Sequence, residues 1–456
     1  MSSTAISAPG PAEALARRRT RALLCATTTG YQIRSFGDAA QKLGVRLVFA
    51  SDRCDQLEDP WWDAAIPVRF HLEDAAVEAV RHSLASDPPS AVIAVGDQPV
   101  VVAARVAEAF GLPGHPPQAA AVSRDKLASR RALATAGLPT PSFRALRLDA
   151  DAGRLAGEMR YPSVLKPLRL SGSRGVMRVD SPAGFVAGFD RLQQLLRSPE
   201  LRAEGGEAHQ LALIESFIPG AEFALEGILT RERLTVFAIF VKPDPLDGPF
   251  FEETIYVTPS RAGSAVQQAI AAQVEAAAQA IGLRHGPVHA ECRVNAGGVY
   301  MIEVAARPIG GLCSAAVKLE DGNGVPASLE EVLLRHALGE DVSAFRRPAG
   351  ASGVMMIPIP RRGVYKDVRG VESALEVAGV DGIRIAAKPD AMLVPLPEGR
   401  SYLGFIFASG ETPDAVEAAL REAHRRLQFR IDRELVVERS ERSERSSERS
   451  ERSDLT

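Results

Sequence analysis

From Arg21 onward, short apolar runs alternate with amphipathic stretches of helical period. The apolar runs are "RALLCAT", "VRLVFAS" and "SAVIAVGD", and the amphipathic stretches are "IRSFGDAAQKLG" and "QPVVVAARVAEAFG". Strands that alternate with helices in this way are typical of βαβ units in a parallel sheet. Such sheets bind ligands beyond the carboxyl ends of their strands. Residues 27–30, Gly96 and Asp97 are therefore candidate edge residues, with ordinary strand-to-helix turns as the open alternative.

The middle of the chain changes to a strand-rich pattern. A helix in "SRDKLASRRALATAGLPTP" is predicted to begin at Ser123 as N-cap and to end at Gly137. The next segments, "YPSVLKPLRLSGSRGVMRV" and "QLALIESFIPGAEFALEGILTRERLTVFAIFVKPDP", alternate as antiparallel strands do. A long Ala-rich helix then leads into the hairpin "HAECRVNAGGVYMIEVAAR" at 289–307. This order predicts a central unit dominated by an antiparallel sheet.

The pattern predicts an α/β and α+β multidomain protein. An N-terminal parallel-sheet domain is expected at 20–116 and a central domain at 117–346, which holds a small lid subdomain at about 155–217. After a Pro/Gly-containing boundary, short strands and a helix predict a separate C-terminal α+β domain at 350–431. The arm at 1–19 and the "ERSERSSERSERS" tail at 432–456 have little to bury and are predicted to be disordered.

Composition narrows the class of protein. The formal charge of -3, from 54 basic and 57 acidic residues, provides no overall field for nucleic acid or anionic lipid. The four cysteines form no C-x-x-C pair and no cluster with histidine, which suits a reducing compartment. No apolar run approaches the roughly 20 residues that span a bilayer. A cytoplasmic protein without nucleic acid or membrane partners is the expectation.

The hairpin at 289–307 places one glutamate in each strand. With 296–298 as a three-residue loop, Asn295 faces Val299, and counting back along both strands brings Glu291 opposite Glu303. Like charges about 5 Å apart destabilise a sheet unless something compensates them. A divalent cation such as Mg2+ would do so, because hard ions take carboxylate oxygens. Two solvated glutamates on an exposed face are the open alternative.

The loop "LSGSRGV" has the composition of a phosphate cradle. Gly172 and Gly175 let backbone N–H groups approach an anion, and Ser171 and Ser173 add hydroxyl donors. The loop is not a P-loop, because G-x-x-x-x-G-K-[ST] occurs nowhere, and no G-x-G-x-x-G is present either. A flexible hairpin loop explains the same residues.

Two lysines stand where a positive charge needs a partner. Lys166, in "VLKP", interrupts an apolar strand, so it either reaches the strand edge or meets an anion. Lys126 lies in the first turn of a predicted helix, where a cation is unfavourable without a negative partner such as a nucleotide phosphate. A solvated surface lysine remains the alternative for both.

The stretch "LIESFIPGAEF" contains the parts that a nucleoside requires. Phe217 and Ile218 offer an apolar face for adenine, and the carboxylates of Glu215 and Glu222 suit a ribose diol. A plain strand-turn-strand is the alternative.

Positive groups flank the two hairpin glutamates. His289 shares the face of Glu291, and Arg307 shares that of Glu303, just before "PIGG". A cation beside metal-binding carboxylates suits the charge that develops on a transferred phosphoryl group. A simple salt bridge from Arg307 to the glutamates is the alternative.

Taken in chain order, these motifs resemble the ATP-grasp superfamily. Lys126, the "VLKP" lysine, the Gly/Ser loop, "ESFIPGAE" and the two-glutamate hairpin that ends in an arginine carry the resemblance, which extends over 20–430. The segments "GRSYLGFIFASG" and "KPDPLDGPFFEETIYVTPS" are most similar to the L-amino acid ligase branch of carboxylate–amine ligases. The resemblance implies an ATP-grasp fold, with 117–346 as the ATP-grasp domain.

The resemblance also implies roles for residues. Glu291 and Glu303 would carry Mg2+ or Mn2+, although many members have Asn where this chain has Ala305, which makes a second metal ion less certain. The implied substrate residues are His289, Arg307, Gly310 and Gly311, with Arg307 catalytic. The implied ATP-binding residues are Lys126, Lys166, Ser171, Gly172, Ser173, Gly175, Glu215, Phe217, Ile218 and Glu222. Among them, Glu215 and the backbone of Phe217 and Ile218 would recognise adenine, and Glu222 would hold the ribose.

The implied activity is ATP-dependent joining of a carboxylate and an amine, with an amino acid among the small-molecule substrates. The carboxylate is first phosphorylated, and an amine then displaces phosphate; a homodimer is also expected from the family. A bicarbonate-using carboxylase is one alternative, against which stands the absence of a biotin-carrier segment from this chain. A non-catalytic nucleotide-binding regulator is another alternative. The facing pair Glu291 and Glu303 argues against it, because a protein that only binds nucleotide has less need for two facing acids.

Overall fold

The computed structural model describes residues 20–27, 32–52 and 65–433. The predicted arm at 1–19 and most of the predicted tail lie outside these residues, as do Cys54 and residues 28–30. Cys25, Cys292 and Cys313 are buried free thiols. Within the described ranges, no helix is long and apolar enough to cross a bilayer.

The described residues form strands and helices with the following bounds. The strands are β1 (Arg21–Ala26), β2 (Arg46–Ser51), β3 (Ile66–Pro67), β4 (Ala91–Val95), β5 (Phe143–Arg147), β6 (Ser163–Pro167), β7 (Met177–Val179), β8 (Leu211–Ser216), β9 (Ala221–Thr230), β10 (Arg233–Lys242), β11 (Ile255–Thr258), β12 (Gly286–Asn295), β13 (Gly298–Ala305), β14 (Leu319–Glu320), β15 (Pro326–Ala327), β16 (Ala351–Ile357), β17 (Gly363–Arg369), β18 (Val380–Ile385), β19 (Met392–Leu393), β20 (Gly404–Gly410) and β21 (Gln428–Asp432). The helices are α1 (Ile33–Leu43), α2 (Glu73–Ser83), α3 (Val100–Ala109), α4 (Pro117–Arg124), α5 (Lys126–Thr135), α6 (Ala152–Glu158), α7 (Pro182–Leu196), α8 (Pro199–Glu204), α9 (Ser264–Ile281), α10 (Leu329–Ala337), α11 (Val371–Leu375) and α12 (Pro413–Arg426).

The N-terminal strands form the predicted parallel sheet. Their order is β3-β2-β1-β4, and every neighbouring pair is parallel. Thr27 follows β1, and Gly96 and Asp97 follow β4, so these residues share one edge of the sheet. The parallel sheet confirms the fold class predicted for this region.

The helix expected at Ser123 begins two residues later. Asp125 is the N-cap of α5, where its carboxylate accepts hydrogen bonds from the N–H groups of Leu127 and Ala128. Ser123 instead ends the preceding helix α4 and donates its hydroxyl proton to the Ala120 carbonyl. Extended backbone at Asp125 separates the two helices, so the prediction for Ser123 was wrong.

A second sheet forms the lid. Its order is β5-β8-β6-β7, with antiparallel pairing throughout, and α7 packs on β6 and β7. The loop 170–176 connects β6 to β7, so the Gly/Ser loop lies at one end of this sheet.

The central sheet has eight strands in the order β13-β12-β9-β10-β11-β16-β20-β18. One face is apolar and packs on α9, through Val274 and Ala278 among others. The pairing of β11 with β16 carries this sheet across the predicted boundary at 346–353. Strands of the expected C-terminal unit therefore share a sheet with the ATP-grasp strands, and β17, β19 and β21 form a smaller sheet beside it. The domain boundaries themselves stay predictions.

Candidate active site

A cavity of about 330 Å3 lies where the N-terminal sheet edge, the lid and the central sheet meet. Its lining contains every site residue predicted from the sequence except Gly175. Thr27, Gly96 and Asp97 also line it, from the carboxyl edge of the N-terminal sheet. Residues that are far apart in sequence are thus gathered around one space.

A row of charged side chains crosses the central sheet beneath the cavity. Glu222 of β9 faces Arg293 of β12 on one side and Lys242 of β10 on the other. Its two carboxylate oxygens lie 2.9 Å from Arg293 Nε and 2.8 Å from Lys242 Nζ. Opposite charges at directly facing positions stabilise a sheet. The carboxylate predicted to hold ribose is therefore held between two internal cations.

Lys242 contacts three carboxylates at once. Its buried ammonium donates to Glu222, Glu253 and Glu291 over 2.8, 2.7 and 2.8 Å. Burial opposes its charge, yet the three carboxylates hold the pKa of Lys242 well above its usual value. Burial and the nearby Glu291 raise the pKa of Glu253 to about 7. Glu291 differs, because Lys242 and His289 hold its pKa well below the usual range in spite of burial.

His289 lies between two acids. Its Nδ1 is 3.2 Å from the buried Glu226, which faces it directly in β9, and its Nε2 is 3.7 Å from Glu291. Burial disfavours the imidazolium, but the two carboxylates raise the pKa of His289 to about 9. Glu226 also accepts the Ile309 N–H, which ties the sheet to the loop before Gly310. His289 thus lies on the cavity wall with two carboxylates that favour its protonated form.

The two hairpin glutamates face each other as predicted, but for a different reason. The turn has two residues rather than three, because Asn295 pairs with Gly298. A β-bulge then shifts the register between the pairs Cys292 with Met301 and Glu291 with Glu303. The three-residue loop was therefore wrong, and the bulge restores the facing pair.

Glu215 is committed to internal cations. Its carboxylate accepts from Arg130 Nε at 2.7 Å and lies 2.6 Å from Lys166 Nζ, with all three side chains buried. Burial lowers the pKa of Lys166 to about 8, with Arg130 and Lys126 contributing and Glu215 opposing. The Glu215 carboxylate therefore contacts Lys166 at the cavity wall, and its contact with adenine stays a prediction.

A second ion pair closes the far end of the cavity. Arg307 binds Asp97 through two hydrogen bonds, Nε to Oδ1 at 2.7 Å and Nη2 to Oδ2 at 3.1 Å. Burial opposes ionisation of Asp97, but Arg307, Lys126 and Ser171 lower its pKa. Lys126 Nζ donates to the Leu170 carbonyl at 2.8 Å, so it lies at the start of the Gly/Ser loop.

The Gly/Ser loop is held from outside by the C-terminal region. Gly175 is not among the residues that line the cavity, and its N–H donates to the Pro397 carbonyl at 2.8 Å; its role in binding ATP stays a prediction. Arg174 Nε likewise donates to the Glu398 carbonyl at 2.9 Å. The Glu398 carboxylate in turn binds Arg191 of α7. We call residues 394–402 the C-terminal strap.

The cavity offers oxygen ligands for a divalent ion. Glu222, Glu253 and Glu291 each place a carboxylate oxygen within 4.8 Å of the others. A set made only of oxygen donors fits Mg2+ or Mn2+. This group shares Glu291 with the predicted pair but replaces Glu303, so the pair stays a prediction. Ala305 is buried and provides no ligand atom.

Sequence reasoning missed Lys242, Glu253, Glu226 and Arg130. Two of them left a signal: Glu226 repeats the position of Glu222 four residues on in a strand that is otherwise apolar, and Lys242 ends an apolar strand as Lys166 does. Glu253 lies in a loop and Arg130 in a helix with basic neighbours, and neither left a signal in the sequence.

Three family models match this chain. They are the ATP-grasp N-terminal domain at 37–114, the ATP-grasp domain at 159–316 and the L-amino acid ligase C-terminal domain 2 at 355–432. In order and position they correspond to the sheets that surround the cavity. The chain therefore belongs to the ATP-grasp superfamily.

Within that superfamily the chain is of the L-amino acid ligase-like branch. The crystal structure of L-amino acid ligase from Bacillus licheniformis matches with a TM-score of 0.76 and 26% identity, over 91% of this chain and 99% of that chain. Dapdiamide A synthase of Enterobacter agglomerans is 26% identical over 277 residues, covering 59% of this chain and 62% of that protein. An uncharacterized protein of Sinorhizobium fredii is 25% identical over 333 residues, covering 72% of this chain and 65% of that protein. The chain thus spans less than two thirds of the length of these two relatives.

Proposed function

We propose that the chain is an ATP-dependent carboxylate–amine ligase that forms an amide through an acyl phosphate, with an amino acid among its substrates. One observation carries the proposal. A single cavity brings together Lys126 and Lys166, the Gly/Ser loop, and the facing pair of Glu291 and Glu303. These are the groups that hold a nucleoside triphosphate and neutralise a phosphoryl group in transfer.

The nucleotide would lie between the lid and the central sheet. Lys126, Lys166 and the Gly/Ser loop line the cavity and would bind the phosphates, while Phe217 and Ile218, which line the same cavity, would contact adenine. The Phe217 ring is itself supported by the guanidinium groups of Arg178 and Arg293, at 4.3 and 5.0 Å from its centroid. Cation–π contacts of this kind stiffen an aromatic wall.

The ion pair between Arg307 and Asp97 supports an amino acid as substrate. A guanidinium and a carboxylate side by side are complementary to a zwitterion, whose carboxylate would face Arg307 and whose ammonium would face Asp97. Gly310 and Gly311 leave backbone exposed beside this pair on the cavity wall. Because Arg307 also lies near Glu303 and Glu291, it stands where charge on the acyl group would develop.

The reaction needs positioning rather than a protein nucleophile. A substrate carboxylate oxygen forms a bond to the γ-phosphorus as the bond to ADP breaks. An amine then forms the C–N bond as phosphate leaves, and one amine proton is released. A divalent ion, when bound to the cavity carboxylates, would neutralise phosphate oxygens. His289 lines the same cavity, and Lys242 contacts the cavity carboxylates Glu222, Glu253 and Glu291.

A substrate screen tests the proposal. Purified protein with ATP and MgCl2 is given pools of amino acids singly and in pairs, and both ADP and free phosphate are measured. We expect ADP release that requires a carboxylate and an amine together, with an amide of the summed mass less one water in the mass spectrum. Arg307→Lys, which keeps the charge but loses the two-pronged geometry, should lower this activity strongly.

Two other outcomes of the screen would favour the alternative functions, a carboxylase or a regulator. ADP release with bicarbonate and no amine would favour a carboxylase and overturn ligation. Nucleotide binding without turnover in every pool would favour a regulator, and it would equally contradict the proposal.

A further inference from the structure

Arg130 is among the largest fully buried side chains of the described chain, with 1% of its surface exposed. It projects from α5 and bonds to two other elements. Its guanidinium binds both Glu215 oxygens, at 2.7 and 3.4 Å, and its Nη2 donates to the Ile302 carbonyl of β13 at 2.6 Å. Burying a guanidinium is costly, so its partners must be well placed to offset that cost.

Ile302 is the extra residue of the hairpin bulge. The pairs Glu291 with Glu303 and Cys292 with Met301 leave Ile302 without a facing partner in β12. A bulge removes regular ladder partners from the backbone at that point, and buried backbone groups need others. Arg130 meets this need for the Ile302 carbonyl.

The bulge decides which way Glu303 points. If Ile302 took a regular place in the ladder and no bulge formed, the two-residue turn would place Ile302 opposite Glu291. Glu303 would then move to the other face of the sheet, because a shift of one residue turns every side chain over. That other face packs on the apolar side of α9. With Ile302 present, the Glu303 carboxylate therefore faces the cavity only while the bulge is kept.

We propose that Arg130 is a positioning residue that locks the Ile302 bulge and, through Glu215, holds Lys166, so that the hairpin carboxylates and the phosphate lysine keep one fixed geometry. The proposal rests on the proposed function for its catalytic meaning. Its structural content is the chain of contacts from the bulge carbonyl through Arg130 and Glu215 to Lys166. Lysine cannot replace Arg130, because one ammonium does not reproduce the planar fork that reaches both partners.

The test measures metal binding rather than turnover. Mn2+ is titrated into protein with ADP, and free Mn2+ is followed by electron paramagnetic resonance for wild type, Arg130→Lys and Arg131→Lys. Arg131 is the exposed neighbour in the same helix and provides the matched control. We expect Arg130→Lys to raise the Mn2+ concentration at half-saturation about ten-fold, and Arg131→Lys to leave it unchanged. A fall in melting temperature with unchanged Mn2+ binding would make Arg130 a structural residue only and overturn the proposal.

A second variant tests the bulge directly. Arg130→Lys disturbs a buried ion pair, which is strongly destabilising, so the test also needs a variant that keeps Arg130. Deletion of Ile302 removes the bulge from β13, which is an edge strand, and keeps the buried arginine. In the deletion variant Glu303 follows Met301 directly and stays opposite Glu291, so Mn2+ affinity should stay near that of wild type, whereas Glu303→Gln should weaken it. A loss in the deletion variant as large as that in Glu303→Gln would show that the bulge does not act by directing Glu303, and it would overturn the proposal. Because no substrate is present, these outcomes are independent of whether any amino acid pool supports ligation.

Discussion

The Lys242 ammonium lies 2.8 Å from the Glu291 carboxylate, at a position where a bound divalent ion is also expected. The same ammonium bonds Glu222 and Glu253. An internal cation therefore occupies the centre of the oxygen group that could hold a metal. Lysine and a divalent ion would compete for these carboxylates, since both are attracted by the same negative charge.

Removing this lysine should strengthen metal binding in the absence of nucleotide. In Lys242→Met, the three carboxylates lose their internal cation, and we expect Mn2+ affinity without ADP to rise by about ten-fold, or roughly 1.4 kcal/mol. Equilibrium dialysis with Mn2+ measures it. Lys318→Met, which changes an exposed lysine paired with Asp381, is the control and should bind as wild type. Equal affinities in both variants would show that these carboxylates do not form a metal site.

The facing pair Glu291 and Glu303 leads to a second prediction, a loss of Mg2+-dependent activity. Glu303→Ala removes a carboxylate from the cavity wall, and we expect Mg2+-dependent ADP release to fall by at least about a hundred-fold while the melting temperature stays near that of wild type. The exposed Glu108 of α3 provides the control as Glu108→Ala. Undiminished activity in Glu303→Ala would remove this residue from the metal assignment.

The sequence could predict those site residues whose arrangement depends on one strand or one hairpin. Glu291 and Glu303 belong to adjacent strands, and their alternation with apolar residues predicts a shared face. Even there, the predicted turn was one residue too long, and the bulge was not predicted. The two errors cancelled, so Glu291 and Glu303 were still placed opposite each other. Local counting cannot detect the bulge, and the Arg130 hydrogen bond to the Ile302 carbonyl comes from a helix that no local pattern connects with this hairpin.

The residues that sequence reasoning missed depend on pairings between distant segments. Lys242 meets Glu291 only because β9 lies between β10 and β12, and this strand order cannot be read from the spacing of residues. The ion pair of Glu215 with Arg130 was not predicted, because Arg130 lies in a helix 85 residues earlier and its burial left no signal in the sequence. The contact between Gly175 and Pro397 likewise joins segments that only the fold brings together.

The C-terminal strap should affect ATP binding. In Glu398→Ala, Arg191 loses its carboxylate partner, so the strap that holds Gly175 and Arg174 should loosen over the Gly/Ser loop. We expect the KM for ATP to rise about ten-fold with little change in kcat, because the strap would contribute to ground-state and transition-state binding alike. Steady-state kinetics with varied ATP measure both constants.

The lid also contains a matched ion pair for this test. Asp149 binds Arg147 at the exposed surface rather than Arg191 or the strap, so Asp149→Ala should keep the wild-type KM. An equal rise of KM in both variants would indicate a general disturbance of the lid. A fall of kcat alone in Glu398→Ala would contradict a role for the strap in binding ATP.

A cluster of neutral histidines predicts loss of stability in acid. His115 is buried and accepts the Arg284 N–H through Nδ1, and the His336 ring stacks on His285 with centroids 4.1 Å apart. Burial, with neighbouring histidines, lowers the pKa of both His115 and His336 to about 4 from an ordinary 6.5. The unfolded chain therefore binds more protons than the folded one as pH falls below 6.5. Stability should fall by about 2 kcal/mol per histidine between pH 8 and pH 5.

Urea unfolding at a series of pH values measures this loss. In His115→Gln combined with His336→Gln, neither position can take up a proton, so the free energy of unfolding should depend less steeply on pH between 8 and 5 than in wild type. His71 is exposed, and His71→Gln should keep the wild-type slope. At pH 8 the double variant should be less stable than wild type, because it lacks the native contacts of both rings. This difference in the free energy of unfolding should shrink toward pH 5. A parallel offset at every pH would show that the two histidines do not couple folding to protons.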